Sequence, residues 1–329
     1  MTAGSCFAQH IARYLGRFGF HTLITEDAHP IASAEIAEAF HYGMFSARYG
    51  NIYTARQLLQ LFQRAFGHFD PVEDMWEQDG IYLDPYRPRI QPGGFASERE
   101  YLLDRDRHFA AVRRAFEDLD IFIFTLGLTE SWRSRRDGAV FPLCPGVGGG
   151  QFDEQRHEFH NFTVEEIASD LLQFMEHLGR INSRAKVILT VSPVPLVATA
   201  EPRHVLVSTT YSKSVLRVAC ETVCSGRTDV IYFPSYEIVT GSFSRGAYFG
   251  PDCRSVTEEA VNHVMGVFFR HFTTAADFST LASQPRSDRD RHLEEMEKIV
   301  AVICEEEMLD RQNRRRRGRR RKGRRSLQT

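Results

Sequence analysis

Three short apolar runs separated by amphipathic stretches constrain the fold of this 329-residue chain more than any other feature. They read LDIFIFTLG, AKVILTVSPVP and TDVIYFPSY, and glycine or proline lies near the end of each, as is typical of buried strands. Before, between and after them, apolar residues at helical spacing predict helices over about 97–116, 164–181, 208–224 and 257–272. Strands that alternate with helices pair in parallel, which predicts an α/β protein whose sheet is covered on both faces.

The part of the chain before the first run is predicted to be mainly helical. Helical patterns lie at about 8–18, 33–41 and 54–66, and a loop with proline and glycine spans 70–94. We therefore expect one domain over residues 1–275 with a helical insertion at about 20–115.

Two further segments follow this domain. Apolar residues of 287–310 are spaced as a brief heptad seam, so this amphipathic helix either packs onto the domain or joins two copies in a homodimer. Residues 311–325 contain eleven Arg or Lys and no acid, so 311–329 is predicted to be a disordered tail that contacts polyanions nonspecifically. The remaining 30 basic residues face 43 acidic ones, which makes the body a poor match for nucleic acid.

The composition indicates a cytoplasmic protein without a bound cofactor. No apolar run is long enough to span a membrane, and no secretory signal opens the chain. The six cysteines are scattered and are expected to be free thiols. The pair of histidines in HEFH (157–160) lacks an evident third ligand, so no metal site is predicted.

Ser5 opens the first helix, and two interpretations of it remain open. A serine there is a common helix N-cap, worth about 1 kcal/mol. Backbone N–H groups at a helix start also favour developing negative charge, as a nucleophile requires. Cys6 is a second candidate nucleophile or a small buried residue. Few residues precede Ser5, so a first strand before it is expected to be short or absent.

Six segments of the chain resemble the GSCFA family, which is placed in the SGNH/GDSL-like hydrolase superfamily. They span residues 4 to 241 in order, and the resemblance covers roughly 4–272: GSCFA (4–8), TLGLTESW (125–132), FHNFT (159–163), ILTVSPVP (188–195), YSKSVLR (211–217) and YFPSYEIVTG (232–241).

The resemblance implies a flavodoxin-like, three-layer α/β/α fold with Ser5 as the nucleophile after the first strand. The N–H groups of Ser5 and Gly127 would then form an oxyanion hole. Where many relatives have a Gly-x-Asn-Asp block, this chain has Thr129 and Glu130, so the usual asparagine is absent.

The final motif of these hydrolases is an acid followed three residues later by the catalytic histidine. Asp252 matches the acid, but the histidine position is Ser255. A serine without an imidazole to accept its proton is a poor nucleophile at neutral pH. Glu130 and His160 are the alternative candidates for the base, ahead of His10 and His204; His263 lies too far along the last helix.

Three functions therefore remain open. The first is a serine esterase, acyl hydrolase or acyl-transfer enzyme acting on a small-molecule or glycan ester. The second is a catalytically impaired protein that keeps the fold to bind a carbohydrate or another ligand. The third is nucleic-acid binding through the basic tail.

Overall fold

The structure, a computed structural model, describes residues 1–273. The predicted helix at 287–310 and the tail at 311–329 lie outside the described residues. The strands are β1 (Thr2–Gly4), β2 (Trp76–Gln78), β3 (Ile81–Leu83), β4 (Ile121–Leu126), β5 (Glu130–Ser134), β6 (Val140–Phe141), β7 (His157–Asn161), β8 (Lys186–Val191) and β9 (Val230–Phe233). The helices are α1 (Cys6–Arg17), α2 (Ala34–Ala39), α3 (Ala55–Ala65), α4 (Glu98–Asp118), α5 (Val164–Ile181), α6 (Val205–Cys224), α7 (Ser235–Thr240) and α8 (Glu258–Phe272).

The predicted parallel sheet is confirmed, with strand order β1-β4-β8-β9 and every pair parallel. The three apolar runs form β4, β8 and β9. The first strand is short, as predicted, and pairs with β4 over its whole length, from Thr2 opposite Ile123 to Gly4 opposite Thr125. The carboxyl ends of these strands therefore meet along one edge of the sheet.

Helices cover both faces of this sheet. Because side chains alternate along a strand, Ile123 and Ile188 face one side, where they pack with α1, α7 and α8. Phe122 and Phe124 face the other side and pack with α3, α4, α5 and α6. The result is the expected three-layer α/β/α arrangement. No helix within residues 1–273 is both long and apolar enough to cross a membrane.

Two small antiparallel sheets were not predicted. β2 and β3 form a hairpin inside 70–94, which was expected to be a loop, and β6, β5 and β7 form a three-stranded sheet beyond β4. These strands have two to five residues, too few for a period of two to stand out in the sequence. The segment 20–115 therefore contains a hairpin as well as helices.

The glycine-rich loop PGVGGGQF (145–152) packs against that hairpin. A Cβ on Gly149 would lie 2.4 Å from the Leu83 side chain, and one on Gly150 would lie 2.7 Å from the Trp76 ring. Both glycines also have positive φ. Close packing and backbone conformation thus account for the glycines.

A cluster of buried charges ties the segment 20–115 together. The Arg48 guanidinium, 2% exposed, lies 3.5 Å from the Glu26 carboxylate and 2.8 Å from that of Asp104. Arg87 binds Asp104 as well, at 2.9 Å, and Asp84 at 2.8 Å. Arg48 also donates to the carbonyl oxygens of two loop residues. Charged groups removed from water are tolerated only when they are paired in this way.

We expect Arg48→Met to lower the free energy of unfolding by about 3–5 kcal/mol, because it removes the guanidinium that pairs with both Glu26 and Asp104 inside the protein. Urea unfolding followed by circular dichroism measures this change. Arg180→Met is the matched control, since Arg180 is 67% exposed in its pair with Glu176, and we expect it to cost less than about 1 kcal/mol. Equal losses in the two variants would contradict the account.

Candidate functional site at the carboxyl edge of the sheet

Ser5 lies at the carboxyl end of β1 and at the N-cap position of α1. Its side chain makes no capping hydrogen bond, so the simple cap interpretation does not account for the hydroxyl. The residue is 6% exposed, and its Oγ is buried without a hydrogen-bond partner among the described residues. Such a hydroxyl has lost its hydrogen bonds to water and has gained none within the protein, which is unusual for a buried polar group.

Gly4 positions Ser5 by letting β1 approach β4 closely. A Cβ on Gly4 would lie 2.5 Å from the Thr125 carbonyl oxygen, and its φ of 147° is one that residues with side chains rarely adopt. Thr125 is fully buried, and its Oγ1 also lacks a partner within residues 1–273. Two unpartnered hydroxyl-bearing residues therefore flank this contact.

Gly127 lies next to Ser5, as expected for the ends of neighbouring strands. A Cβ on Gly127 would come within 3.4 Å of the Ser5 Cβ. The Gly127 N–H, however, donates to the Tyr53 carbonyl at 3.0 Å, and the Leu128 N–H donates to the same oxygen at 3.2 Å. The Gly127 amide is thus already bonded and is not free to stabilise an oxyanion.

The chain segment that supplies this carbonyl runs along the outer side of β1. The Ile52 N–H donates to the Gly4 carbonyl at 2.9 Å, where a further strand would otherwise pair. Beside it, the Asn51 side chain accepts from Gln9 of α1 at 3.1 Å and donates to the Tyr53 hydroxyl at 3.3 Å. The segment therefore adds amide and phenol groups to the edge near Ser5.

The hydrogen bonds of Thr129 connect three of the six segments quoted in the sequence analysis. It is fully buried, its N–H donates to Ser212 Oγ at 3.1 Å, and its hydroxyl donates to Asn161 Oδ1 at 2.6 Å. Next to it, the ammonium of Lys213, 1% exposed, donates to the Gly127 carbonyl at 2.6 Å. Thr129 thus connects the chain segments of this loop, and its hydroxyl is already used in the hydrogen bond to Asn161.

Glu130 faces the loop after β8. Its carboxylate accepts from the Thr199 hydroxyl at 2.6 Å and from the Ala200 N–H at 3.3 Å. Burial raises the pKa of Glu130, and these two hydrogen bonds only partly offset that effect. Glu130 is not bonded to the Ser5 Oγ, which has no partner among the residues that the structure describes.

Asp252 and Ser255 form a closed turn ahead of α8. Asp252 accepts from the Ser255 N–H at 2.9 Å and from the Arg254 N–H at 3.0 Å, and the Ser255 hydroxyl donates to the same carboxylate. The hydrogen bond from Ser255 is the main cause that holds the pKa of Asp252 below its usual value. Arg254 donates to the Pro195 carbonyl at 3.3 Å, which connects this turn to the loop after β8.

The other candidate histidines make hydrogen bonds to groups other than Ser5. His160 contacts Glu166 at 2.8 Å, and His204 caps α6 by accepting from the Leu206 N–H. His10 lies 2.6 Å from Arg13, and burial, followed by the charge of Arg13, lowers its pKa to about 3. None of them reaches the Ser5 hydroxyl, which has no partner in the part of the chain that the structure describes.

His157 and His160 do not point toward a common site where both could bind one metal ion. They are three residues apart on β7 and therefore face opposite sides of it; His157 contacts Glu73 at 2.8 Å, whereas His160 contacts Glu166. Within residues 1–273, no group of three or more His, Cys, Asp or Glu residues is arranged to hold a metal ion. Cys6 opens α1, and the prediction for its side chain lies outside what the structure describes.

Together, the fold and this edge define an α/β protein with a three-layer sandwich and a polar cluster where β1, β4 and β8 end. The chain belongs to the GSCFA family, whose model matches residues 1–268. Comparisons with curated proteins and with solved structures gave no match.

Sequence reasoning missed Asn51, Ser212 and Lys213 as contributors to this edge. Ser212 and Lys213 lie within the resembling segment YSKSVLR, where a lysine on the inner face of a helix is the signal that was available. Lysine is rarely buried without a partner, so its position on the same helix face as Leu216 and Cys220 indicates a specific contact. Asn51 lies in an irregular segment, for which the pattern gave no such signal.

We expect Gly4→Ala to destabilise the protein by more than about 1 kcal/mol, because the methyl group collides with Thr125 and the φ is strained. Gly179→Ala in α5 is the control: nothing lies within 4 Å of its position, and alanine favours the helix there. Thermal unfolding of both variants tests this. A Gly4→Ala protein as stable as the wild type would show that the close approach of β1 is not required.

Proposed function

We propose that this GSCFA-family protein binds a carbohydrate or another small polar ligand at the carboxyl edge of its sheet, without the serine–histidine acyl transfer that its resemblance to SGNH-type hydrolases implies. The observation that carries the proposal is the state of Ser5. Its hydroxyl is buried and bonded to no base, while the position of the expected histidine is Ser255.

The Ser5 hydroxyl has no base within the described residues, and two further components of the expected mechanism are engaged in other contacts. Activation of a serine requires a base within hydrogen-bond reach of its hydroxyl. The acid at Asp252 instead accepts the Ser255 hydroxyl, and the Gly127 amide donates to Tyr53. Losing one oxyanion donor alone costs about 3 kcal/mol in barrier height. Acyl transfer that depends on an activated Ser5 hydroxyl, on Asp252 and on the Gly127 amide is therefore strongly disfavoured.

The same edge retains features that suit ligand binding. Ligands of open α/β sheets bind beyond the carboxyl ends of the strands. Here Gln9 donates to Asn51, and Asn51 donates to the Tyr53 hydroxyl, on the segment whose Ile52 N–H bonds the carbonyl of Gly4 just before Ser5. Hydroxyl and amide groups of this kind are the usual partners of polar ligands such as sugars.

The second candidate is acyl hydrolysis or acyl transfer on a small-molecule or glycan ester, with Ser5 as nucleophile. One observation favours it: the buried Lys213 ammonium bonds the carbonyl of Gly127, the residue next to Ser5. Serine–lysine pairs are a known alternative to the serine–histidine arrangement. In this structure, however, Lys213 Nζ is not bonded to the Ser5 hydroxyl.

Ester turnover separates the two candidates. The full-length wild type and Ser5→Ala are assayed on p-nitrophenyl acetate and on acetylated oligosaccharides. We expect the two rates to agree within about twofold, because a serine without a base adds little to the rate. A wild-type rate at least about tenfold above that of Ser5→Ala would instead establish the hydrolase. Stabilisation of the wild type by sugars in a thermal-shift panel tests binding, and no response to any of them would contradict it.

Restoring the missing imidazole tests the alignment with the hydrolases. We expect Ser255→His to raise ester turnover about 100-fold, the low end of what a positioned general base contributes. The control is the double variant Ser5→Ala/Ser255→His, in which the gain should disappear. A gain that persists without Ser5 would mean that the new histidine acts by itself, and no gain would contradict the assignment of position 255.

A further inference from the structure

One face of the central sheet is only partly covered at the amino end of its strands. On the face that packs with α3, α4, α5 and α6, Phe122, Val187 and Val230 lie side by side and are at most 3% exposed. On the other face, near the same end, Ile121 is 49% exposed and Ile231 is 45% exposed. Parallel sheets are normally buried on both faces. The described helices therefore leave part of this sheet without its usual cover.

The register of the strands places the exposed residues on one surface. Ile121 precedes Ile123 by two positions on β4, and the exposed Lys186 lies opposite Ile121 on β8. Ile231 lies opposite Ile188, which follows Lys186 by two positions. Side chains two positions apart on a strand point to the same side. Ile121, Lys186 and Ile231 therefore share the face that α1 and α8 cover further along the strands, and we call these three residues the amino-end patch.

The described part of the chain ends beside this patch. α8 is its last helix, and the ring centre of Phe272, at the end of α8, lies 5.6 Å from that of Phe233. Phe233 follows Ile231 by two positions on the same face of β9, which is about 7 Å along the strand. Helix α8 thus covers Phe233 but leaves Ile231 exposed, and the chain continues from Thr273 close to the patch.

The sequence that follows contains a segment with a matching apolar seam. Within 287–310, apolar residues at helical spacing form this seam: Leu293, Met296, Val300 and Ile303. The 13 residues of 274–286 join the segment to the described chain. They span up to about 45 Å when extended, so the segment is long enough to reach the patch. A helix of this length gains most of its stability by packing its apolar face against another surface.

The charges of the segment and of the patch have opposite signs. Residues 287–310 contain nine Asp or Glu and three Arg or Lys. Arg184 and Arg227, which lie just before β8 and β9, are each paired with an aspartate, at 3.6 Å and 2.6 Å. These pairs balance one another, whereas the patch itself carries the positive charge of Lys186. An acidic helix is therefore a better match for this surface than a basic one.

We propose that residues 287–310 form a helix that packs across the amino-end patch of the same chain, with its apolar seam against Ile121 and Ile231 and its acidic flank toward Lys186. This docking completes the cover of the sheet on the side of α1 and α8. It also holds the basic segment 311–325 at the amino end of the strands, away from the edge where Ser5 lies. The proposal does not depend on the proposed function.

Hydrogen exchange of the full-length protein tests this docking. We expect Val300→Asp to speed exchange of the β9 amides at least about fivefold, because a charge in the seam releases the helix and makes local opening of the strand easier. Val302→Asp is the matched control, since two residues turn a helix by about 200° and place Val302 outside the seam. We expect its exchange to stay within about twofold of the wild type. Circular dichroism establishes that both variants fold, and equal exchange in the two would overturn the proposal.

Disulfide trapping in the full-length protein identifies what covers the patch. Ile231→Cys is combined with a cysteine at one seam position at a time: Leu293→Cys, Met296→Cys, Val300→Cys or Ile303→Cys. The control pairs Ile231→Cys with Val302→Cys. After mild oxidation with copper phenanthroline, peptide mapping identifies the bonded cysteines, and non-reducing electrophoresis separates bonds within one chain from bonds between chains. We expect a bond within one chain from at least one seam position, in at least about tenfold higher yield than in the control.

Three results would overturn the proposal and point to another occupant of the patch. A bond between two chains would show that a second copy covers it. A bond from no seam position would show that 287–310 lies elsewhere. Faster exchange of β9 in Phe278→Asp, with none in Val300→Asp, would show that the intervening residues 274–286 cover the patch instead.

Discussion

The close contact of Gly4 with Thr125 is the constraint on which the rest of this structure depends. Only glycine permits β1 to lie against β4 with its Cα this near the Thr125 carbonyl. This contact attaches a three-residue strand to the sheet and brings Ser5 beside Gly127. It also fixes the start of α1, which packs with α8 on one face of the sheet. The carboxyl edge would not have this form if β1 lay further away.

Two kinds of interaction hold the molecule around that contact. The sheet and its helices are held by apolar packing, with Phe122 and Phe124 on one face and Ile123 and Ile188 on the other. The segment 20–115 depends in addition on buried ion pairs centred on Arg48. Such pairs add little net stability but penalise any arrangement that separates them. This explains how a segment with short elements and long loops holds one arrangement beside β1.

The sequence predicted the parallel sheet and the long helices because their apolar patterns are strong and continuous, as in IFIFTL and VILTV. That Ser5 and Gly127 lie together was implied by the resemblance to the GSCFA family, and the structure brings the two residues side by side. The sequence did not predict the hairpin at 76–83 or the sheet that begins at Glu130, because pairing of two to five residues depends on distant partners. The bond between the Gly127 amide and Tyr53 was equally unpredictable, because it links loops 74 residues apart in the chain.

A family resemblance and a set of side chains at the right edge do not by themselves make a catalytic serine. Here Ser5 is buried with no base bonded to it among residues 1–273, and Asp252 accepts the hydroxyl of Ser255, the position where the resemblance to the hydrolases predicts a histidine. Labelling of the full-length protein with a fluorophosphonate, read by intact mass and peptide mapping, tests this claim most directly, because the reagent reports activated serine hydroxyls. The account predicts that Ser5 remains unmodified under conditions that fully label a serine hydrolase standard. Stoichiometric modification of Ser5 would contradict it.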